Sequence, residues 1–291
     1  MRKERGKPTS ERDGVRPPSR QERPRSRPVR GRSDPPAGRS VPQAGRPAPK
    51  RGAAAPDGDR FDVLYGRNPV REALRAGRRP VHRVWATAGA AKEDWLAGAE
   101  PADAAEIAAR CGSDAHQGVC AEAGPYPYAS PAELLAGDAP LVVALDEVQD
   151  PQNLGAICRT AECAGADGVV ICERRAAHVT AAVAKASAGA VEHLPVARVR
   201  NLADFLLAAR DAGAWSYGAA VGEGAIAYTE PDYTGGVVLV LGAEGKGLRP
   251  RVAGACDGLI ALPLRGRIGS LNVSAAASAL LYGILQKRMS A

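Results

Sequence analysis

Aromatic side chains are scarce in this 291-residue chain: only 4% of its residues are Phe, Trp or Tyr, and two are phenylalanine. With 45% hydrophobic residues overall, the core has to be aliphatic and alanine-rich, as in helix-rich α/β proteins. Cysteine is present but unpatterned. Cys111, Cys120, Cys158, Cys163, Cys172 and Cys256 form no CxxC pair and no dense framework, which excludes a structural zinc site or a disulfide scaffold; free thiols and no metal are expected. No apolar run approaches the roughly 18 residues of a membrane span without a charge or a glycine break. The first residues have no apolar signal core either, so no membrane partner and a cytoplasmic location are expected.

What is abundant is positive charge, and it is unevenly placed. The net charge of +7 arises in residues 1–59, which hold 16 Lys/Arg against 7 Asp/Glu, while the remainder of the chain holds 23 against 25. Eleven of the 23 prolines fall in the same segment, which has almost no large apolar side chains. A segment of that composition cannot bury enough surface to offset its ordering entropy, so 1–59 reads as a disordered basic tail. It serves either as a loose electrostatic contact with RNA phosphates or as a solubilising extension.

Order begins at the strand Phe61–Tyr65, followed by a helix over Asn68–Ala76 with Asn68 as its cap and Pro69 in the first turn. Val81–Ala86 alternates as a strand, Ala102–Arg110 has helical spacing, and Gly118–Glu122 is a further short apolar run, so 60–123 reads as a small α/β domain. Three prolines between Pro125 and Pro131 interrupt any helix or central strand and mark 124–138 as a linker. Within 139–291, β-like and helical segments alternate: Leu141–Leu145, Leu154–Ala164, Gly168–Cys172, Ala181–Ala188, His193–Val199, Leu202–Ala212, Ala214–Ala219, Val237–Leu241, Leu259–Leu262 and a last helix over Asn272–Lys287. Strands apolar on both faces in such a series imply a mostly parallel sheet covered by helices, with the site at the strand carboxyl ends.

Three segments stand at such ends. The first, Asp150 to Ala161, offers Asn153 as a helix cap and Arg159 near the inner face of the next turns. The second, Leu239 to Pro250, places three glycines in six residues around Glu244; the spacing GxxGxG is neither a Walker loop nor a dinucleotide fingerprint, but it lets backbone approach a ligand closely. A carboxylate in that loop needs a partner or a task. The third, Ala261 to Ser274, brings Ser270 and Asn272 to the start of the last helix, where main-chain N–H groups favour anions; helix capping is the blander role for Ser270.

Together and in this order, NLGAICRTAECAGADGVVI, LVLGAEGKGLRP and LPLRGRIGSLNVSAAASALLY resemble the three signature motifs of the SpoU (TrmH) family of RNA ribose 2′-O-methyltransferases, over residues 139–291. Tyr65-Gly66-Arg67-Asn68-Pro69-Val70 and His116-Gln117-Gly118-Val119 resemble the substrate-binding domain of the subgroup that methylates a guanosine of bacterial 23S ribosomal RNA. The resemblance implies a SPOUT-type α/β knot, a trefoil-knotted and mostly parallel sheet, behind a small N-terminal L30e-like α/β domain. It implies S-adenosyl-L-methionine as cofactor, held at Gly242, Gly245, Leu262 and Leu271, and catalytic or substrate-positioning roles for Asn153, Arg159, Glu244, Ser270 and Asn272. It also implies 23S ribosomal RNA as partner and a homodimer in which Arg159 approaches the second copy's site. A transfer-RNA ribose methyltransferase, or a catalytically silent RNA-binding assembly factor, is the alternative. The basic tail and the pair Arg265 and Arg267 depart from the family pattern, and those two arginines read as extra phosphate contacts.

Removing a proton from arginine at neutral pH costs on the order of 7 kcal/mol, given a free pKa of about 12.5 or above. Arg159 is therefore expected to stay charged, holding a phosphate and stabilising the developing alkoxide, rather than to act as a simple base.

Overall fold

The computed structural model describes residues 61–222 and 224–291. The basic segment 1–59 lies outside the described residues.

The first part of the chain forms a four-stranded sheet. β1 (Asp62–Tyr65), β2 (Val81–Ala86), β3 (Glu100–Pro101) and β4 (Val119–Ala123) stand in the order β1-β4-β2-β3, with α1 (Arg67–Ala76) and α2 (Ala104–Cys111) packed on it. The expected Asn68 cap is not found: α1 starts two residues earlier in effect, with Gly66 at the cap position and no side-chain cap. Gly66 has φ 93°, a left-handed value that glycine adopts without strain. Its main-chain N–H is taken by Val119 of β4. A capping box closes α2 instead, with Asp103 and Glu106 each accepting from the other's main-chain N–H.

The proline-rich segment that follows is packed rather than free. The Tyr126 hydroxyl bonds the carbonyls of Val191 and Leu194, and Arg79 places its guanidinium on Glu192 in a two-pronged pair that is nearly fully buried. Arg79 also donates to Asp62 and to the Gly124 carbonyl, so one side chain joins β1, the proline-rich segment and the turn before β7.

The second sheet has seven strands, all pairs parallel: β5 (Leu141–Asp146), β6 (Gly168–Cys172), β7 (Val196–Val199), β8 (Trp215–Ala219), β9 (Ile226–Ala227), β10 (Val237–Gly242) and β11 (Gly258–Ala261). Their order is β7-β6-β5-β10-β8-β11-β9. Strand residues alternate between two cores, as a pleat requires. Val143, Leu145, Leu239 and Leu241 face one, under α3 (Pro151–Cys163) and α7 (Val273–Met289). Val142, Ala144, Val238 and Val240 face the other, under α5 (Leu202–Asp211) and α6 (Pro250–Ala253). β5 and β10 are thus apolar on both faces, which is why they read as unbroken hydrophobic runs. The strand expected over His193–Val199 begins only at Val196, because Pro195 has no N–H to donate to a ladder and Ala190–Glu192 makes a turn of 3-10 helix. α4 (Ala181–Ala186) closes one side of α3.

Candidate functional site

Sheet order decides which loops meet. β10, β8 and β11 are neighbours, so the residues leaving their carboxyl ends share one cavity of about 500 Å3. Its walls come from Ala219 to Val221 after β8, from Gly242 to Gly247 after β10 and from Leu262, Leu264 and Gly269 to Leu271 after β11. α7 supplies the floor through Val273, Ala276 and Leu280. Gly242, Gly245, Leu262 and Leu271, the four positions expected to hold a cofactor, all line it, as do Glu244 and Ser270. A second cavity, of about 570 Å3 beside Tyr228 and the end of α7, contains none of the expected site residues.

The β10 loop is shaped by backbone contact. A Cβ on Gly242 would sit 2.2 Å from the carbonyl carbon of Gly247, so only glycine lets the loop double back, and the Gly247 amide closes it on the Ala243 carbonyl at 2.9 Å. Gly245 and Gly247 have φ of 72° and 66°. The far end is tied down by Arg249, which donates from its main-chain N–H (2.8 Å) and its Nε (2.7 Å) to Asp146, buried at the end of β5. The hydrogen bond to Asp146 holds the Arg249 guanidinium above its ordinary range.

Beside the cavity, three side chains from three segments bond one another. Asn153 Nδ2 donates to Glu244 Oε1 at 2.9 Å, Asn272 Nδ2 donates to Asn153 Oδ1 at 3.0 Å, and the same Nδ2 donates to Glu244 Oε1. Asn153 therefore does not cap α3, as its sequence position suggested. Asp150 does so, accepting from the Gln152 amide, while Asn153 lies inside the helix with 6% exposure. Asn272 is the cap of α7: its Oδ1 accepts from the amides of Ser274 and Ala275, which turns Nδ2 toward Glu244. Ser270, two residues ahead of that cap, is a cavity residue and not a capping one.

Arg159 is not with the others. It is exposed on α3, outside the cavity lining, and among the described residues no ion pair or side-chain hydrogen bond engages it. Six residues correspond to about 600° of helical rotation, so it cannot share the face of Asn153, and the expected inward placement is corrected to an outward one. The residues that the sequence did not single out are Ala219 to Val221, Leu264, Lys246 and the Arg249–Asp146 tie. The strand before Ala219 was legible, but not its insertion between β10 and β11.

The lining suits a ligand of nucleoside size: aliphatic walls at Ile260, Leu262 and Leu280 face a turn of bare glycine backbone, and the volume falls in the common range of about 300–1,000 Å3 for small-molecule sites. Glu244 sets a carboxylate at one side, where it favours a cationic group. Among the described residues, no cluster of three or more His, Cys, Asp or Glu side chains is arranged to hold a metal ion.

Residues 140–282 match the model of the SpoU rRNA methylase family, and residues 63–129 match that of the RNA 2′-O ribose methyltransferase substrate-binding domain. YacO of Bacillus subtilis, described as a TrmH family tRNA/rRNA methyltransferase, is 37% identical over 250 residues, which cover 78% of this chain and 96% of YacO. A tRNA/rRNA methyltransferase of Mycolicibacterium vanbaalenii is 38% identical over 254 residues, 80% of this chain and 79% of its own length. Among solved structures, AviRb from Streptomyces viridochromogenes in complex with AdoMet superposes with a TM-score of 0.68 at 25% identity, covering 79% of this chain and 91% of AviRb. The AdoMet-bound rRNA methyltransferase of Sinorhizobium meliloti gives 0.67 at 27% identity, covering 78% and 87%.

Proposed function

This chain belongs to the SpoU rRNA methylase family, and from that premise we propose that it transfers a methyl group from S-adenosylmethionine to a ribose 2′-hydroxyl of RNA, with a guanosine of 23S ribosomal RNA as the target. The observation that carries the reading is the convergence of Gly242, Glu244, Leu262, Ser270 and Leu271 on one nucleoside-sized cavity. Two solved relatives carry AdoMet, and the matched substrate-binding model over 63–129 supports RNA as the substrate. The trefoil knot belongs to the same proposal.

When bound, the cofactor supplies a methyl group on a sulfonium, which passes to the ribose oxygen as the carbon–sulfur bond breaks and sulfur keeps the electron pair. The chain's own task is to align the hydroxyl and to accommodate the loss of its proton, and alignment alone is worth several kcal/mol, about 7 or more in favourable cases. Glu244 is held rigid by two amides on one oxygen, which leaves Oε2 as the acceptor available to a ribose hydroxyl. Ser270, which lines the same cavity, contacts the nucleotide. Asn153 and Asn272 act through Glu244 as positioning residues.

The Arg159 guanidinium neutralises a substrate phosphate and the developing alkoxide. Because it lies outside its own chain's cavity, that role calls for a second copy, and a homodimer with Arg159 facing the partner's site is part of the reading.

The test is methyl transfer from labelled S-adenosylmethionine to 23S RNA fragments and to transfer RNA, followed by mapping of 2′-O-methyl positions. A labelled guanosine ribose in 23S RNA is expected. Label confined to transfer RNA moves the substrate, and cofactor binding with no transfer to either RNA favours a silent binding factor.

A further inference from the structure

The loop from β11 to α7 touches the cavity at Leu262 and Leu264 and again at Gly269, Ser270 and Leu271. The residues between, Arg265, Gly266, Arg267 and Ile268, are exposed, lie outside the lining and are flanked on both sides by lining residues, which sets this rim segment next to the cavity. Arginines elsewhere are mostly engaged. Most form ion pairs with carboxylates, as Arg79, Arg83, Arg210 and Arg249 do. Arg78 and Arg288 donate to main-chain carbonyls, and Arg110 and Arg198 lie over aromatic rings. Arg265 and Arg267 have no such partner among the described residues, so two guanidinium forks, one residue apart, present their donors to solvent.

Ile268 beside them is 77% exposed, and Val221 and Leu271, which line the cavity itself, are 70% and 49% exposed. A single exposed aliphatic side chain is ordinary. Here Ile268 directly follows two unpaired cations in a segment flanked by cavity residues, and Val221 and Leu271 add exposed apolar surface to the cavity lining, a pairing of cationic and apolar groups that complements a nucleotide with its phosphate and its base face.

We propose that this rim is an RNA clamp: Arg265 and Arg267 hold the phosphates flanking the target nucleotide, and Ile268 packs against a base, so that the site selects a nucleotide splayed out of its stack. The inference rests on the RNA methyltransferase reading and adds to it where the strand is gripped and in what conformation. A ribose hydroxyl can reach the inside of a cavity only when its nucleotide leaves the regular helix, and unpaired loops and bulges release nucleotides at least cost. Arginine suits the phosphate role because its planar fork bonds two phosphate oxygens at once.

The experiment compares the full chain with R265A/R267A and with Ile268→Ala, measuring affinity for a fluorescent 23S RNA stem-loop across a salt series, cofactor affinity by calorimetry, and methylation rate. The double substitution should weaken RNA binding by about tenfold or more and reduce the slope of log affinity against log salt by about 1.4, or about 0.7 per lost phosphate contact on single-stranded RNA. Affinity for S-adenosylmethionine should not change. Ile268→Ala should slow methylation more for a target nucleotide held in a stem than for the same nucleotide in an open loop. An unchanged salt slope, or a loss of cofactor affinity parallel to that of RNA affinity, overturns the clamp and leaves the methyltransferase reading standing. A wild-type chain that binds the cofactor but neither binds nor methylates RNA overturns that reading, and the clamp with it.

Discussion

Asn272 uses one amide group for two purposes. Its oxygen caps α7 and its nitrogen bonds Asn153 and Glu244, so removing the side chain disturbs stability and the site together. The two effects separate by choice of replacement. Asn272→Ala should lose about 1 kcal/mol through the missing cap and most of its methylation rate. Asn272→Ser keeps a capping oxygen, since serine caps about as well as asparagine, but has no amide to hold Glu244. Unfolding in urea should therefore report near-normal stability for Asn272→Ser, while its kcat falls as far as that of the alanine variant. Equal retention of stability and kcat would remove Asn272 from the positioning network. At this scale the sequence identified the residues but misassigned two of them: an asparagine near a helix start reads as a cap, and the period of a helix does not say which face is inner until its neighbours are known.

Among the elements, the β10 loop and the β8–β11 pair carry the cavity. Gly242→Ala introduces a methyl group 2.2 Å from the Gly247 carbonyl carbon, a clash with backbone that rotamer change cannot relieve, so the loop must open. Gly245→Ala meets nothing within 4 Å and suffers only from its φ of 72°. Calorimetric titration with S-adenosylmethionine should show loss of binding for Gly242→Ala and a much smaller effect for Gly245→Ala; the reverse order would mean that close approach is not what the first glycine provides.

The β8–β11 pair depends on Asp257, which accepts from the amide and hydroxyl of Ser216 and from Arg210. Burial pushes its carboxyl up, but the Ser216 hydrogen bonds and the Arg210 guanidinium outweigh it and hold the carboxyl below its ordinary value. A depressed carboxylate stabilises the fold above the unfolded pKa, near 3.9, and this contribution is lost as pH falls through the folded value. Asp257→Asn should consequently be less stable than wild type at pH 7, with the gap narrowing at pH 3, as urea midpoints at the two pH values would show. A gap independent of pH would mean that the charge of Asp257 contributes nothing.

In the whole molecule, two arrangements link distant parts. Arg79 and Glu192 join the four-stranded sheet to the seven-stranded one through a pair with 3% and 1% side-chain exposure. Glu192→Ala leaves a buried guanidinium short of its main partner and should cost roughly 3–5 kcal/mol of stability. Thermal unfolding checks this, and a loss below about 1 kcal/mol would show that Asp62 and the Gly124 carbonyl suffice. The second arrangement is the outward Arg159. If it completes a partner's site, chains carrying Arg159→Ala and chains carrying Asn272→Ala, each inactive alone, should recover activity when mixed and refolded. Random pairing restores one intact site in about half of the dimers, and so roughly a quarter of the wild-type rate. No recovery would confine Arg159 to its own chain or to another role.

The sequence by itself determined the strands that are apolar on both faces, the helices between them, and the three segments whose order and spacing mark the family. These are local properties, set by side-chain periodicity and by the needs of a turn. It could not determine which strands lie side by side. Only the order β10-β8-β11 brings Ala219 to Val221 against the two motif loops, and only β5 beside β10 lets Asn153 and Asp146 reach Glu244 and Arg249. Parallel strands are joined through crossovers of many residues, so their neighbours are chosen by packing across the whole sheet, and a side chain's inward or outward sense follows from that choice. That is why helix position in the sequence set Arg159 near an inner face, whereas in the fold it stands exposed on α3.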